Sequence, residues 1–551
     1  MGFARRVLQL GALAIVIAVA TLNAFELDRF FVPKELVLHA TALLAGIGAW
    51  RALGRMSWSR TDRFLAAYLG LSALSALFAT NRWAAERALA ISASSLVVFW
   101  TARALREQGR DRGLVTAVAW ATVLIAITSL LQTYGLDLTI FSENRAPGGT
   151  LGNRNFVAHA AAFGWPALLL VTMRARRVRW PAIGSALVLA TLVLTRSRAA
   201  LLAFGIVSVV LFAAIVFAPA LRREGRMWRR LFALVVCSGA GIALALLLPN
   251  ALHWRSDNPY LETMKRVGDY QSGSGHGRLV QYAESLRLSL RHPLLGVGPG
   301  NWPVVYPSRA ARHDPSLDPH DTGMTSNPWP SSDWIAFVSE RGIAAAALLF
   351  LALLRIAASA FARLRTSRDP ADAFAAVALL GTLAAAAVAG AFDAVLLLAL
   401  PSLLVWTTLG VLSAQAPPAP VSAPVNVAEP LHVDTPADAI ASAEVVASAP
   451  VVPPAPPLPP TRAPRWIAFA ALALCALGAT HSASSIVAMN LYVQGDRASV
   501  THAAHVDPGS YRIQLRAARV SRRRERCAYA HAAHALYPSA RAALELARGC
   551  K

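Results

Sequence analysis

Long apolar runs recur along most of this 551-residue chain, and they restrict its fold more than any other feature. Each run is long enough for a helix to cross the roughly 30 Å hydrocarbon core of a bilayer. Because lipid offers the backbone no hydrogen-bond partners, such runs cross a membrane as helices. The pattern predicts spans at residues 7–24, 35–54, 62–79, 84–104, 113–134, 156–173, 178–195, 199–218, 231–249, 333–356, 372–390, 391–413 and 465–489.

The expected fold class is an all-α polytopic transmembrane bundle, with about twelve core spans and one C-terminal span. A hydrophobic share of 56% and a charged share of 15% exclude a soluble globular chain. Near Gly390 the pattern leaves open whether one re-entrant run replaces two helices. The predicted domains are a transmembrane domain at 1–413 with a large loop at 250–332, a linker at 414–464, a further span at 465–489 and a tail at 490–551.

The net charge of +23 is distributed as a topology signal rather than as a nucleic-acid surface. Arginines cluster on alternate loops, which is the bias of loops that face the cytoplasm. The N-terminus is therefore predicted to be cytoplasmic, and the hairpin at 135–155, the large loop and the tail are predicted to face outward together. The clusters lie at residues 5–6, 51–63, 103–112, 174–179, 222–230 and 363–368.

The segments after the core differ from it in composition. Residues 415–465 are rich in Pro, Ala and Val without apolar periodicity, which predicts a disordered cytoplasmic linker. The tail is typical of short amphipathic helices, either generic ones or a degenerate tetratricopeptide-like pair that binds envelope-assembly proteins. Cys527 and Cys550 fall at ends of neighbouring helices that would meet, so they predict a disulfide and hence an oxidising compartment.

The outward hairpin carries a glycine-rich segment, Gly148–Phe156, that leads into a span. Glycines let exposed backbone N–H groups approach a ligand, and Arg145 and Arg154 add positive charge. Asn155 is expected to cap the following helix, whose N-terminal dipole also favours an anion. The segment therefore predicts an anion cradle, with a tight capped turn and a lipid-facing arginine as the alternative.

A second arginine-bearing turn, Thr195–Arg198, is too short to leave the membrane interface. An arginine held there needs a partner. It either contacts lipid head groups or turns inward and binds a phosphate bidentately, and Arg198, at the start of the next helix, is the better candidate for the second role.

The large loop holds Arg278 before a helical pattern at 279–290, and then a glycine-rich turn, His292–Trp302. The GxGxG in that turn lacks the preceding strand of a nucleotide-binding fingerprint, so a structural turn is predicted. His313 and His320 with Asp314, Asp318 and Asp321 fit no regular zinc spacing, and no metal or other cofactor is expected.

Several short motifs occur together in a fixed order. They are Pro33-Lys34, LQTYG at 131–135, GTLGNRNF at 149–156, Ser197-Arg198, Arg278 before a helix, HPLLGVGPGNW at 292–302 and SERG at 339–342. In this order, with one large loop before a late span, the chain resembles the O-antigen ligase/polymerase superfamily over about residues 1–413.

The resemblance implies a metal-independent bacterial glycosyltransferase of the inner membrane. Such an enzyme moves a glycan from an undecaprenyl-diphosphate carrier to a lipid or glycan acceptor on the periplasmic side. By position, Arg198 and Arg278 are implied to hold the donor diphosphate, with Arg154 or Lys34 as helpers. Glu340 of the E-x-G motif is assigned to substrate binding.

One position departs from the family pattern. The family places a histidine about nine residues before the glutamate of its E-x-G motif, where it contacts or activates the acceptor hydroxyl, and Ser331 stands there. Three interpretations stay open: His320 replaces the missing base, Asp333 replaces it, or the acceptor needs little activation.

The function also keeps its alternatives at this stage. Within the class, ligation to a lipid, polymerisation of repeat units and transfer to a protein hydroxyl remain open. A transporter is the rival from another class, with Asp393 and Glu340 as its intramembrane charges to test. A silent envelope-assembly scaffold is a third possibility, because of the missing histidine.

Overall fold

The computed structural model describes residues 1–22, 24–142, 145–222, 224–254, 256–265, 273–414 and 464–550. Within these ranges the regular structure is helical, and the single β-type pairing is an isolated bridge between Leu317 and Thr325. The predicted linker lies almost wholly outside the described residues. The prediction of an all-α polytopic fold is confirmed.

The helices before the large loop follow the predicted apolar runs, with two short connectors, α3 and α10. They are α1 Gly2–Ile17, α2 Asp28–Gly48, α3 Trp50–Leu53, α4 Arg60–Leu77, α5 Arg82–Glu107, α6 Leu114–Thr133, α7 Arg154–Arg174, α8 Arg179–Leu194, α9 Arg198–Phe217, α10 Pro219–Arg222 and α11 Gly225–Leu247.

The second half of the chain contains the loop helices, the last core helices and the tail. They are α12 Pro259–Lys265, α13 Gly273–Arg291, α14 Trp302–Val305, α15 Asp333–Thr366, α16 Pro370–Phe392, α17 Ala399–Ser413, α18 Arg465–Gln494, α19 Arg497–Val506, α20 Tyr511–Val520, α21 Arg523–Leu536 and α22 Arg541–Arg548. The break between α16 and α17 shows that the apolar region around Gly390 forms two helices rather than one.

Nine helices in the described part are long and apolar enough to cross a membrane: α2, α5, α6, α7, α9, α11, α15, α16 and α18. The shorter α8 and α17 are also apolar. The remaining predicted spans, α1 and α4, also form helices, of 16 and 18 residues. Every predicted apolar run thus contains a helix, although four of the thirteen fall short of a full span by length and composition.

The large loop is folded onto one end of the bundle. Trp302 and Tyr306 form a small core with Leu288 and Val297. The Trp302 indole N–H donates to the Ser285 hydroxyl at 2.9 Å. Nearby, the Asn301 amide accepts from the Asn81 N–H at 2.7 Å and donates to the Asn81 carbonyl at 3.0 Å, which fixes the loop to the α4–α5 turn.

The glycine-rich turn and the SERG motif interlock. The helix α15 is broken at Gly342, where φ is 82°. The turn supplies partners for the unwound backbone: the N–H groups of Val297 and Gly298 donate to the carbonyls of Ser339 and Glu340 at 2.9 and 2.8 Å. The structural role predicted for the turn therefore agrees with its contacts.

The tail packs against the same end of the bundle. Asp507-Pro508 separates α19 from α20, Ser521-Arg522 separates α20 from α21, and Tyr537-Pro538 separates α21 from α22. Cys527 and Cys550 are joined by a disulfide, with Cα atoms 5.5 Å apart. The Arg541 N–H donates to the Thr322 carbonyl of the large loop at 2.9 Å, so tail and loop are in direct contact. The tetratricopeptide likeness stays a prediction.

We expect Gly342→Ala to destabilise the fold by about 3 kcal/mol, because an L side chain is strained at positive φ and its Cβ would overlap the Leu294 carbonyl oxygen. The measurement is the thermal unfolding midpoint of purified protein in detergent. Gly205→Ala is the matched control, since a Cβ there meets open space. Equal midpoints for the two variants would contradict the interlock.

Candidate functional site

The N-terminus of α7 is capped by a different residue from the one expected. Asn153 has extended backbone, and its side-chain oxygen accepts from the Asn155 N–H at 2.9 Å. The prediction that Asn155 is the cap is therefore wrong. Asn155 is already in helical conformation, whereas a capping residue must precede the helix with non-helical backbone.

Two arginines from separate segments lie over one tryptophan. The guanidinium carbons of Arg154 and Arg196 are 5.0 and 4.7 Å from the centroid of the Trp254 ring. Arg196 has a positive φ of 57°, and its Nε donates to the Thr263 hydroxyl of α12 at 2.9 Å. The start of α7, the α8–α9 turn and the large loop therefore meet here. Sequence reasoning missed Arg196 because it favoured its neighbour Arg198.

A second cluster lies slightly deeper on α7. His159 is only 2% exposed, and neither ring nitrogen has a hydrogen-bond partner among the described residues. The opposite charges of Arg278, on α13, and Asp393, at the end of α16, both act on this imidazole. His159 follows Arg154 by five residues, which is about 8 Å along a helix axis. Both clusters thus belong to the first two turns of α7.

Arg198 and Arg278 have different surroundings. Arg198 is the first residue of α9, two positions after Arg196, and it is half-buried. Arg278 is half-buried in the first turns of α13, close enough for its charge to act on His159. That the two arginines bind one diphosphate stays a prediction.

Asp333 has a structural role, and its carboxylate is occupied by hydrogen bonds. Its side chain is fully buried and accepts from the N–H groups of Val395, Leu396 and Leu397 at 3.0, 2.8 and 3.3 Å. These three N–H groups belong to the non-helical segment between α16 and α17. The hypothesis that Asp333 is the catalytic base does not fit this geometry, because both carboxylate oxygens already accept hydrogen bonds from backbone N–H groups.

Ser331 and His320 are also placed by the backbone. The Ser331 N–H donates to Gln281 Oε1 at 2.6 Å, and its carbonyl accepts from the Tyr282 hydroxyl at 2.7 Å, so Ser331 joins α13 to α15. His320 is exposed, in a turn where its N–H donates to Asp318 at 2.8 Å. This turn contacts the tail, and no interaction links His320 to Arg278 or His159 within the described ranges.

The acidic groups beside His320 are likewise oriented to the tail. Burial and the neighbouring Asp318 raise the pKa of Asp321, and Arg519 of the tail opposes this shift. The structure therefore assigns the turn around His320 to the contact between loop and tail rather than to the arginine clusters.

Lys34 and Arg145 lie apart from the two α7 clusters. The buried Lys34 ammonium donates to the carbonyls of Ala18 and Thr150, each at 2.8 Å, so it ties the hairpin to the start of α2. Arg145 lines a separate cavity, together with Arg512 of the tail. Neither position fits the expected role beside a diphosphate as closely as Arg154 does.

Glu340 lines a polar cavity of about 350 Å³ on the same end of the bundle. Its carboxylate pairs with Arg341 at 3.2 Å and lies 3.4 Å from the Trp302 N–H. Phe31 and Trp329 line one side of this cavity, and Phe156 packs behind them, with ring centroids 5.1 to 6.2 Å apart. Phe156 precedes His159 by one helical turn, so the cavity and the His159 cluster are neighbours.

An apolar groove of about 410 Å³ runs between α9, α15, α16 and α17. Its lining has no charged residue and includes Phe217, Trp334, Phe361 and Leu396. Several of these side chains, such as Phe217 and Phe361, are exposed outward, as lipid-facing residues are. The groove is therefore suited to a hydrocarbon chain.

The non-helical segment between α16 and α17 borders the His159 cluster, the apolar groove and the polar cavity. Asp393 acts on His159, Leu396 lines the apolar groove, and Leu397 and Leu398 line the polar cavity. Because Asp333 holds this segment, one carboxylate fixes the geometry shared by the three.

The match to a known family falls on this part of the chain. Residues 183–350 match the family described as O-antigen ligase, which is less than a third of the chain. The matched stretch contains Arg196, Arg198, Arg278 and Glu340. The match supports a membrane protein of the glycan ligase or polymerase type. No curated protein matches the chain.

We expect Asp333→Asn to lower the thermal unfolding midpoint together with any activity. An asparagine offers one acceptor oxygen where the carboxylate offers two, so at least one buried N–H loses its partner, which costs about 1–3 kcal/mol. Asp369→Asn is the control, because this exposed residue caps α16 and asparagine caps as well as aspartate. A variant with wild-type stability and no activity would instead point to a catalytic carboxylate.

Proposed function

We propose that this protein transfers a glycan from an undecaprenyl-diphosphate carrier to an acceptor hydroxyl at the outer face of the bacterial inner membrane. The observation that carries the proposal is the gathering of arginines from three separate segments around the first two turns of α7. The match of residues 183–350 to the O-antigen ligase family supports this proposal.

The arginines suit a diphosphate leaving group. As the bond from the sugar to the diphosphate breaks, negative charge grows on the phosphate oxygens, and fixed guanidinium groups stabilise it. Contact with the Trp254 ring orients Arg154 and Arg196, and in this role their terminal N–H groups donate to phosphate oxygens, while Arg196 Nε stays bound to Thr263. In this role Arg278 contributes a third guanidinium group to the diphosphate, from α13.

The apolar groove suits the carrier. A polyprenyl chain has no polar atoms, and the groove presents none that are charged. Leu396 and Trp334 place the mouth of the groove beside the segment that carries Asp393. A carrier in the groove would therefore hold its diphosphate near the arginine clusters.

The proposed reaction is a direct displacement with inversion. The acceptor oxygen forms a bond to the anomeric carbon while the bond to the diphosphate oxygen breaks, and the electron pair leaves with the diphosphate. The proton of the acceptor hydroxyl goes to the neutral imidazole of His159, whose nitrogens have no hydrogen-bond partner among the described residues and whose cation Asp393 would stabilise. His159 thus takes the role of the histidine missing at Ser331. No metal takes part in this scheme.

The acceptor class decides between ligase, polymerase and protein transferase. Product analysis separates them, because they give a capped lipid, a ladder of polymer lengths or a glycosylated protein. The arginine-rich alternate loops support an N-terminus in the cytoplasm and a tail in the periplasm. Counterflow of substrate without sugar transfer would identify a transporter instead.

We expect Arg278→Ala to reduce transfer by about 100-fold or more, because one charge-stabilising donor is lost at the leaving group. The measurement is glycan transfer by reconstituted protein with a polyprenyl-diphosphate donor, followed by mass spectrometry. Arg287→Ala is the matched control: Arg287 lies on the same helix, and its side chain is 69% exposed in a pair with Glu284. Full transfer by Arg278→Ala would remove Arg278 from the mechanism.

We expect His159→Gln to lower kcat about 100-fold with little change in the KM for the donor, because glutamine keeps hydrogen-bonding capacity but accepts no proton. The same assay measures both constants. His505→Gln, at an exposed tail histidine, is the control. Wild-type kcat in His159→Gln would leave the third interpretation, an acceptor that needs little activation.

A further inference from the structure

Two of the arginine clusters that lie on separate loops of the sequence come together in space. Arg230, on α11, donates from one terminal nitrogen to the Met173 carbonyl and from the other to the Ala175 carbonyl, the latter at 2.9 Å. These hydrogen bonds fix the first turns of α11 against the end of α7 and the α7–α8 loop. Between the two segments lies an open cavity of about 680 Å³, called here the arginine cavity. Its arginines are Arg174, Arg176, Arg226, Arg229 and Arg230.

The arginine cavity lies at the opposite end of the bundle from the His159 cluster. Arg154 begins α7 and Arg174 ends it, and a helix of 21 residues is about 30 Å long. That length equals the thickness of the hydrocarbon core of a bilayer. The arginine cavity therefore faces the other surface of the membrane, and the proposed glycan transfer does not use it.

The arginine cavity is strongly cationic. No carboxylate lines it. Among the described residues, no ion pair within 4.0 Å joins Arg176, Arg226 or Arg229 to an acid, and all three side chains are exposed. Arg174 differs, because aspartates at the start of α16 act on it from outside the cavity. Guanidinium groups without a compensating charge favour an anionic ligand.

The arginines approach the cavity from two sides. Arg174 and Arg176 come from the end of α7 and the loop after it, whereas Arg226 and Arg229 lie three residues apart on one face of α11. A guanidinium group binds a phosphate through two parallel N–H groups. Each side therefore suits one phosphate, while the terminal nitrogens of Arg230 stay bound to backbone carbonyls.

An apolar surface begins next to the arginine cavity. On α11, Ala233 lines the cavity, and Val236, three residues further on, is 50% exposed. On α8, Trp180 and Ile183 are 54% and 47% exposed. Exposed tryptophans are typical of the level at which a helix enters the lipid head groups. Cationic side chains at this level, followed by exposed hydrocarbon surface, fit a phospholipid better than a soluble anion.

We propose that the arginine cavity binds an anionic phospholipid whose head group carries two phosphates, as in cardiolipin. Its phosphates bind between Arg176 and Arg229, and its acyl chains lie along α8 and α11. The bias of arginines towards alternate loops accounts for basic residues at this face. It does not account for two loops joined by Arg230 around a cavity without acids.

The test is native mass spectrometry of the full-length protein in detergent, titrated with cardiolipin. We expect Arg176→Gln/Arg229→Gln to weaken cardiolipin binding about tenfold or more, because each phosphate loses one arginine. Arg177→Gln/Arg222→Gln is the matched control: it removes the same charge from the same two loops, at residues outside the lining. The control is expected to bind within about twofold of the wild type, and equal thermal midpoints show that both variants are folded.

The two double variants separate a built site from general attraction by positive charge. Equal weakening in both of them, or no weakening in either, would overturn the site. Phosphatidylglycerol and inorganic diphosphate are titrated in parallel. Binding of phosphatidylglycerol as tight as that of cardiolipin would overturn the head group with two phosphates, and equally tight binding of inorganic diphosphate would overturn the lipid.

Discussion

The hydrogen bonds from three backbone N–H groups to the Asp333 carboxylate hold together the part of the molecule on which everything else depends. The helix α17 has only 15 residues, about 22 Å, so it does not cross about 30 Å of hydrocarbon by itself. The segment from Asp393 to Leu398, which precedes α17, is made of bends and a turn. Non-helical backbone is tolerated at membrane depth only when protein satisfies it, and Asp333 does so.

The arginine clusters, the apolar groove and the polar cavity differ in chemistry because different helices face the segment between α16 and α17. Arginines from α7, the α8–α9 turn and α13 make one surface cationic. Apolar faces of α9, α15 and α16 make the groove. Paired charges and aromatic rings make the remaining cavity nearly neutral. The proposed substrate, a lipid-linked glycan, has corresponding parts, namely a diphosphate, a hydrocarbon chain and sugars, and in the proposed function each part would bind in its own environment.

The helices were predictable, and several site residues were not, for one physical reason. Apolar runs and helix breaks are local, so each predicted span contains a helix, and the breaks before Pro508 and Pro538 are where they were expected. The roles of Asp333, Lys34 and Arg196 depend on partners more than sixty residues away. His159 has no neighbour in sequence that marks it; only the fold shows that its nitrogens lack hydrogen-bond partners in the part of the chain that the structure describes. The capping error at Asn155 was smaller, since two asparagines lie within three positions and local pattern does not choose between them.

The tail is synthesised after the core helices on which it packs. A ribosome completes the core helices well before it reaches residue 465, and the last 87 residues must then insert α18 and fold the four tail helices onto the bundle. Until the tail has packed, the polar cavity beside Glu340 lacks the wall that Asp507 and Tyr511 form in the complete fold. Maturation of such a chain therefore ends with the closing of a chamber, not with the insertion of its membrane core.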